Sequence, residues 1–338
     1  MIFKDTLNRL LAGEDLPREE MLALMRALMS GALEPAQIAA AVVALRCKGE
    51  TVTEIAAAAE VMRELSAKVA VADRNHLVDT CGTGGDSLHT FNISTTAAFV
   101  AAACGARVAK HGGRAVSSGS GSADVLEYLG VNLDIGVERV GKLIDTVGLG
   151  FLFAPNHHSA MRHAAPVRKA LGVRTIFNLL GPLTNPAAAP NQLLGVFSRP
   201  LTRTMAEVLR ELGSRHVMVV HGADGLDEIT ISGETHVAEL RDGMISEYTI
   251  TPEALGIPRA ELAAIRVEGV AQSAQMLRDV LAGQSSPAAD IVVLNAGAAT
   301  YVAGVAGSLA EGVAQARQAL ADGSAMGRLA ALASGSAD

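Results

Sequence analysis

The hydrophobic pattern of the chain changes character near residue 75. Before that point apolar residues recur at helical spacing: Leu22, Leu24, Met25, Leu28 and Met29 trace one stripe, and a second apolar run covers 38–45. Glu34-Pro35 puts a proline where a helix can begin, and Gly49 stands as its stop. Thr51 and Glu54 have the spacing of a capping box ahead of the run 55–62. These signals predict a small all-helical domain over 1–72, with a helical segment near 156–186 packing onto it. Beyond it, short apolar runs predict strands at 77–80, 107–110, 150–154, 193–197, 217–221 and 291–295. Helical patterns at 94–104, 122–129, 137–147, 201–212 and 309–320 alternate with them. That alternation predicts a large α/β domain over 73–338 with a central, largely parallel sheet. The segment 235–251 reads as a hairpin turning at Asp242-Gly243, 283–287 as a loop, and the tail after Ser334 as frayed.

Composition narrows the function. Apolar residues make up 49% of the 338 and aromatic ones only 3%, so a sizeable core must be built from Ala, Val, Leu and Ile. A net charge of -7 gives no electrostatic reason to expect nucleic acid or an anionic membrane surface. Any anionic ligand must be held by a local site. Cys47, Cys81 and Cys104 form no CxxC pair, which fits a reducing compartment and argues against a disulfide scaffold or a zinc site. Cys81 beside a glycine-rich loop has no activating base next to it in sequence and reads as a small buried residue. The N-terminus is too acidic for a signal peptide, and the apolar runs at 38–45 and 97–106 are too short to span a membrane. The expectation is a soluble cytoplasmic protein.

Four segments carry candidate chemistry. Asp79 to Thr95 (DTCGTGGDSLHTFNIST) places Gly82, Gly84, Gly85 and Asp86 behind an apolar strand and sets Asn92, Ser94 and Thr95 before a helix. It is either a tight turn or a phosphate cradle, since glycines admit close backbone approach and a helix N-terminus attracts anions. Lys110 to Ser122 (KHGGRAVSSGSGS) adds Lys110 as a point charge and Ser117, Ser118 and Ser122 as hydrogen-bond donors. Ala154 to Lys169 has two arginines, three histidines and no acid, and a continuous helix there would put His158, Met161 and Arg168 on one face. The run 175–186 (TIFNLLGPLTNP) follows and suits a wall over a planar ligand. Finally, Asp227-Glu228 on a loop after a strand offers hard oxygen ligands of the kind Mg²⁺ shares with substrate phosphates, although acidic turns are also common.

In this order and spacing, GTGGD with TFNIST, KHG-R with SS, H-x-x-M-R-H-A-A-x-V-R, FNLLGPLTNP and DGLDE resemble the anthranilate phosphoribosyltransferases over nearly the whole chain. The resemblance implies a fold shared with pyrimidine nucleoside phosphorylases, with 5-phosphoribosyl 1-diphosphate and magnesium between the two domains. It implies phosphoribosyl transfer to the amine of anthranilate, giving N-(5-phosphoribosyl)anthranilate and diphosphate in tryptophan biosynthesis. By position, Gly82, Gly85, Asp86, Thr90, Asn92, Ser94, Thr95, Lys110, Ser118 and Ser122 would contact the phosphoribosyl diphosphate. Ser94, Asp227 and Glu228 would ligate Mg²⁺, expected as two ions with the diphosphate. Gly82, Gly113, His158, Met161, Arg168 and Pro182 would contact anthranilate, with Lys110 and Arg168 as the catalytic pair. A homodimer formed through the helical domain is also implied. Gly113 departs from the family, which often has Asn after Lys-His-Gly.

The alternatives are a pyrimidine-nucleoside phosphorylase on the same fold and a non-catalytic relative that binds nucleic acid. The Arg168 segment and the spellings GTGGD and KHG disfavour the first, and the negative charge with an intact acidic pair disfavours the second.

Overall fold

In the computed structural model, which describes residues 2–86, 88–115 and 119–337, the chain opens with helices α1 (Phe3–Leu11), α2 (Arg18–Ser30), α3 (Pro35–Lys48) and α4 (Val52–Leu65). The starts of the last two are chemically specified. Glu34 and Gln37 cap α3 reciprocally, and Thr51 and Glu54 do the same for α4, with the Glu54 amide donating to Thr51 Oγ1 at 3.2 Å. The Glu54 carboxylate is fully buried, yet it accepts from the amides of Leu16 and Thr51 and from Lys48 Nζ, at 2.8 to 2.9 Å. A buried charge so well partnered ties the α4 start to α3 and to the loop after α1.

Seven strands form one sheet: β1 (Leu77–Gly82), β2 (Arg107–Gly112), β3 (Leu149–Phe153), β4 (Asn191–Gly195), β5 (His216–Gly222), β6 (Thr235–Arg241) and β7 (Met244–Ile250), in the order β3-β2-β1-β4-β5-β6-β7. The first five run parallel, and β6 and β7 are antiparallel additions. The β6–β7 turn lies at Asp242 and Gly243, both left-handed at φ 50° and 81°, as a two-residue hairpin requires. Side chains alternate across the sheet. Val217 and Val219 face a core shared with the helical bundle, while Met218 and Val220 face the opposite layer.

The remaining helices are α5 (Ile93–Ala103), α6 (Ser122–Tyr128), α7 (Val137–Val147), α8 (Ala154–His157), α9 (Ala165–Leu171), α10 (Phe177–Leu180), α11 (Leu201–Glu211), α12 (Val270–Leu281), α13 (Pro287–Val302), α14 (Leu309–Ala321) and α15 (Ser324–Ala337). The bundle packs through α4 on α10 and α11 and through α3 on α9. Its core of Leu22, Met25, Ile55 and Val61 is therefore continuous with Phe177, Met205 and Leu209.

Two expectations fail. Residues 291–295 are helix, the middle of α13, which is apolar on nearly every side because it is buried against α5 and α14. A helix with no polar face has no stripe, and a short apolar stretch of it reads like a strand. The local signal was Ser286-Pro287: Ser286 caps the helix and Pro287 occupies its first turn. Nor is the tail frayed, for α15 continues to Ala337 and buries Leu329, Leu332 and Ser336. Among the described residues no helix is long and apolar enough to cross a membrane.

Candidate active site

Strand order reverses beside β1, which has β2 on one side and β4 on the other. Such a switch point leaves a crevice outside the carboxyl ends of the strands. There Gly82 of β1 pairs with Gly195 of β4, and Asp227 lies across both. A Cβ at Gly195 would stand 1.6 Å from the Asp227 carbonyl oxygen, and one at Gly82 would stand 2.6 Å from Asp227 Oδ2. These two strand ends must therefore be glycine for the acidic loop to reach the crevice. Gly84 and Gly85 follow with left-handed φ of 67° and 79°, which turns the Gly84 amide to donate to Asp227 Oδ2 at 2.8 Å. Arg174 donates to the Gly85 carbonyl and lies 4.0 Å above the Phe197 ring, holding the loop from outside.

Glu228 reaches the amino end of α5, where Oε1 accepts the Ser94 amide at 3.1 Å. Lys110 Nζ donates to Ser94 Oγ at 3.2 Å and to the Thr80 carbonyl. Ser94 thus joins the acid and the ammonium. Burial pushes the Asp227 and Glu228 carboxyls well above their ordinary values; Asp86 adds to the shift of Asp227, and Asp227 with Asp86 adds to that of Glu228. Burial pushes the Lys110 ammonium down, against the attraction of Asp79, Cys81, Glu228 and Asp227. One buried ammonium does not balance this group of carboxylates, which is the electrostatic condition a divalent cation would relieve. The donors are all oxygen, as Mg²⁺ prefers. Among the described residues no three or more His, Cys, Asp or Glu form a cage. The pair therefore fits a hard cation shared with a ligand's own oxygens.

The second glycine-rich loop is tied to the first. Asn92 Oδ1 accepts from Ser120 Oγ and Ser273 Oγ, each at 2.7 Å, and its Nδ2 donates to the Ser120 carbonyl at 3.3 Å. Its side chain joins the two loops to α12. Ser122 Oγ donates to the Gly113 carbonyl at 3.3 Å, and Thr90 forms a bridge with Arg266. Thr95 is buried with its hydroxyl unpartnered. Ser117 and Ser118 lie outside the described residues.

The wall facing these loops departs from expectation. The segment after β3 is not one helix: α8 ends at His157, His158 takes an extended-like φ of -116°, a 3-10 turn covers Ser159–His163, and α9 starts at Ala165. A single helical face through His158, Met161 and Arg168 does not exist. The break frees His158, whose Nε2 meets Nε2 of His111 at 3.2 Å. His111 Nδ1 lies 3.1 Å from the Gly181 carbonyl, so it must donate there; its Nε2 then accepts, and His158 donates. Burial pushes His111 down to about 3 and His158 to about 4, with each imidazole's neighbours adding to the effect, so both are neutral near pH 7. Arg168 lies 5.4 Å from the Phe177 ring centroid, and Met161 packs half-buried against the helical bundle core. Pro182 is buried, its carbonyl accepting from Gln192 Nε2 at 2.7 Å. Gln192 also donates to Cys81 Sγ at 3.1 Å, and burial pushes that thiol far above its ordinary value, which leaves it no nucleophile.

The helical bundle domain of a glycosyl transferase family matches residues 4–66, and the a/b domain of that family matches 74–326. An anthranilate phosphoribosyltransferase from Chromobacterium violaceum is 63% identical over 323 residues, 96% of this chain and 94% of its own length. The chain belongs to the anthranilate phosphoribosyltransferase family. Another member, from Thiobacillus denitrificans, is 60% identical over 96% of this chain and 95% of its own. The crystal structure of the Thermus thermophilus anthranilate phosphoribosyltransferase superposes with a TM-score of 0.94 at 48% identity, covering 99% of this chain and 100% of that one. That of the Saccharomyces cerevisiae enzyme in complex with PRPP and Mg gives 0.89 at 27% identity, covering 99% and 98%.

Within this family frame, two residues outside the motif roles, Asp79 of β1 and Asn185, tie the wall to the sheet. The His111 amide donates to Asp79 Oδ1 at 3.1 Å, and Asn185 Nδ2 donates to Asp79 Oδ2 at 2.7 Å and to the Ala109 carbonyl at 2.8 Å. Asp79 and Asn185 thereby fix β1, β2 and the wall to one another. Both lie inside segments already notable for their motifs. What local sequence lacks is the pairing, since 106 residues separate them.

Proposed function

We propose that the chain transfers the 5-phosphoribosyl group of 5-phosphoribosyl 1-diphosphate to the amine of anthranilate, releasing diphosphate. The observation that carries this reading is the half-buried acidic pair, in excess of its one ammonium, between a glycine-rich loop and the amino end of α5. Gly82, Gly85, Asp86, Thr90, Ser94, Thr95, Lys110, Ser118 and Ser122 form the phosphoribosyl diphosphate side, with Asn92 holding the loops together. Ser94, Asp227 and Glu228 hold Mg²⁺, with two ions when diphosphate is bound. The metal's contribution is to neutralise charge on the leaving diphosphate.

The bond from ribose C1 to the diphosphate oxygen breaks, a bond from C1 to the amine nitrogen forms, and the amine gives up one proton to water. An aromatic amine is already unprotonated near pH 7, so no strong base is required. The chain's contribution is position and charge. Lys110 and the loop amides meet the anionic leaving group, a preorganised contact of the kind worth about 10²-fold or more in kcat. Arg168 clamps the anthranilate carboxylate, and Gly82, Gly113, His158, Met161 and Pro182 line the channel with uncharged groups. His111 and His158, both neutral, orient that wall and keep it uncharged.

The chain pairs with a second copy through its helical bundle. Supporting this, a groove of about 400 Å³ lies between α1 and α3, lined by Leu7, Leu10, Leu11, Ala40, Val43 and Ala44, with Leu11 69% exposed. The enzyme acts in the cytoplasm. Loss of anthranilate fluorescence on mixing with phosphoribosyl diphosphate and Mg²⁺ tests the activity. A loss that needs all three components is expected; an unchanged signal with active, folded protein would refute it.

A further inference from the structure

Ile229 directly follows Asp227 and Glu228 and is buried, so its amide and carbonyl both need partners in a loop that has no strand beside it. A single side chain supplies both. Asn295, 0% exposed in the middle of α13, accepts the Ile229 amide at Oδ1 (3.0 Å) and donates from Nδ2 to the Ile229 carbonyl (2.9 Å). Its second Nδ2 hydrogen goes to the Ile291 carbonyl one turn back, at 2.9 Å. The orientation of the amide is dictated: two carbonyls must face Nδ2, and only Oδ1 can accept the Ile229 N–H. Asn295 thus does for Ile229 what a neighbouring strand would do. Its base is firm, because α13 crosses α14 closely enough that a Cβ on Gly312 would stand 2.3 Å from the Gly297 carbonyl oxygen. The acidic pair therefore hangs between two fixed points, α5 through the Ser94 amide and α13 through Asn295.

We propose that Asn295 is a positioning residue for the metal-binding carboxylates. It touches neither substrate nor cation; by gripping Ile229 on both sides it sets where the oxygens of Asp227 and Glu228 lie. This rests on the metal assignment made above. Removal of such an outer contact lowers metal affinity by about 10- to 100-fold in metalloenzymes generally.

The test compares the intact chain with Asn295→Leu, similar in volume but without either arm, Asn295→Asp, which keeps only the acceptor, and Asp227→Asn with Glu228→Gln. Binding of Mn²⁺ in the presence of inorganic diphosphate is read by electron paramagnetic resonance, alongside the KM for anthranilate. Asn295→Leu is expected to weaken Mn²⁺ by about tenfold or more, with Asn295→Asp in between and the anthranilate KM within about twofold. A folded Asn295→Leu that binds Mn²⁺ as the unaltered chain does, or that loses anthranilate and Mn²⁺ affinity equally, overturns the proposal. If the acidic double variant also binds Mn²⁺ normally, the metal assignment itself fails. Should Asn295→Leu not fold, Asn295→Asp decides by the same comparison. Hydrogen exchange in the unaltered chain adds a variant-free check: the Ile229 amide should be as protected as the core of α13, and exchange at the rate of an exposed loop would overturn the clamp.

Discussion

Two groups of carboxylates in this molecule, Glu239 and the pair Asp227 and Glu228, are treated oppositely. On the antiparallel side of the sheet, Glu239 accepts from His216 Nε2 at 2.7 Å, Tyr248 OH at 2.6 Å and Tyr301 OH at 2.9 Å. Burial alone would raise its pKa, but these three donors outweigh it and bring the carboxyl down to about 2. At the carboxyl ends of β1 and β4, Asp227 and Glu228 each receive a backbone amide, Gly84 and Ser94, and burial wins: both are pushed up. The first carboxylate is completed by the protein and serves stability. The second pair is left short of positive charge and serves a ligand. Buried charge alone does not mark a functional site; incomplete compensation does.

Breaking the acidic pair should have the largest effect. Asp227→Asn with Glu228→Gln is expected to lower kcat by about 10²-fold or more while leaving the ligand-free fold as stable or more so. The sign follows from linkage. Carboxyls raised in the folded state cost stability as pH climbs from their unfolded values through their folded ones, so the double variant's advantage should grow with pH. Melting temperatures across that range, measured with steady-state rates, check both halves.

Glu239→Gln should do the reverse. It is expected to cost about 1.5–3 kcal/mol of stability, as for hydrogen bonds to a charged group, with kcat unchanged. Because the folded pKa is depressed, the stability is fully present above the ordinary value of 4.5 and is lost as pH falls towards about 2. The gap between Glu239→Gln and the unaltered chain should therefore narrow on acidification, which denaturant unfolding at several pH values would reveal. A smaller effect is expected at Arg168→Ala, an increase of about tenfold in KM for anthranilate with the phosphoribosyl diphosphate KM spared. Equal change in both would place Arg168 elsewhere.

The smallest effect should come from Gly113, and it sharpens the contrast among glycines. Gly82 and Gly195 are required by Asp227, but among the described residues a Cβ at Gly113 meets nothing within 4 Å, and its φ is not in the left-handed region. Gly113→Asn should change stability by no more than about 0.5 kcal/mol, as at ordinary surface sites. Any effect should appear in anthranilate KM alone. A melting point several degrees lower would mean that the backbone there needs glycine after all.

How much of this was legible in the sequence follows the range of each interaction. The caps of α3 and α4, the Asp242-Gly243 hairpin and the strands at 77–80 and 217–221 rest on neighbours within a few residues, and their signals are local. The glycine loop, Lys110 and Asp227-Glu228 were legible as chemistry because each occupies a short motif. The pairing of Asp79 with Asn185, the meeting of His111 with His158 and the grip of Asn295 on Ile229 were not, since they join positions far apart in the chain. The misreading of 291–295 has the same origin: an apolar run shows that it is buried, but not what buries it. Asn295, a lone amide within that run, was its one visible irregularity.

The most direct test of the contrast is thermal unfolding near pH 8 with inorganic diphosphate, in the presence and absence of Mg²⁺. The account predicts a rise in melting temperature only when both are present, and no rise when Asp227→Asn and Glu228→Gln are combined. An equal rise in the double variant, or none in the unaltered chain, would contradict it.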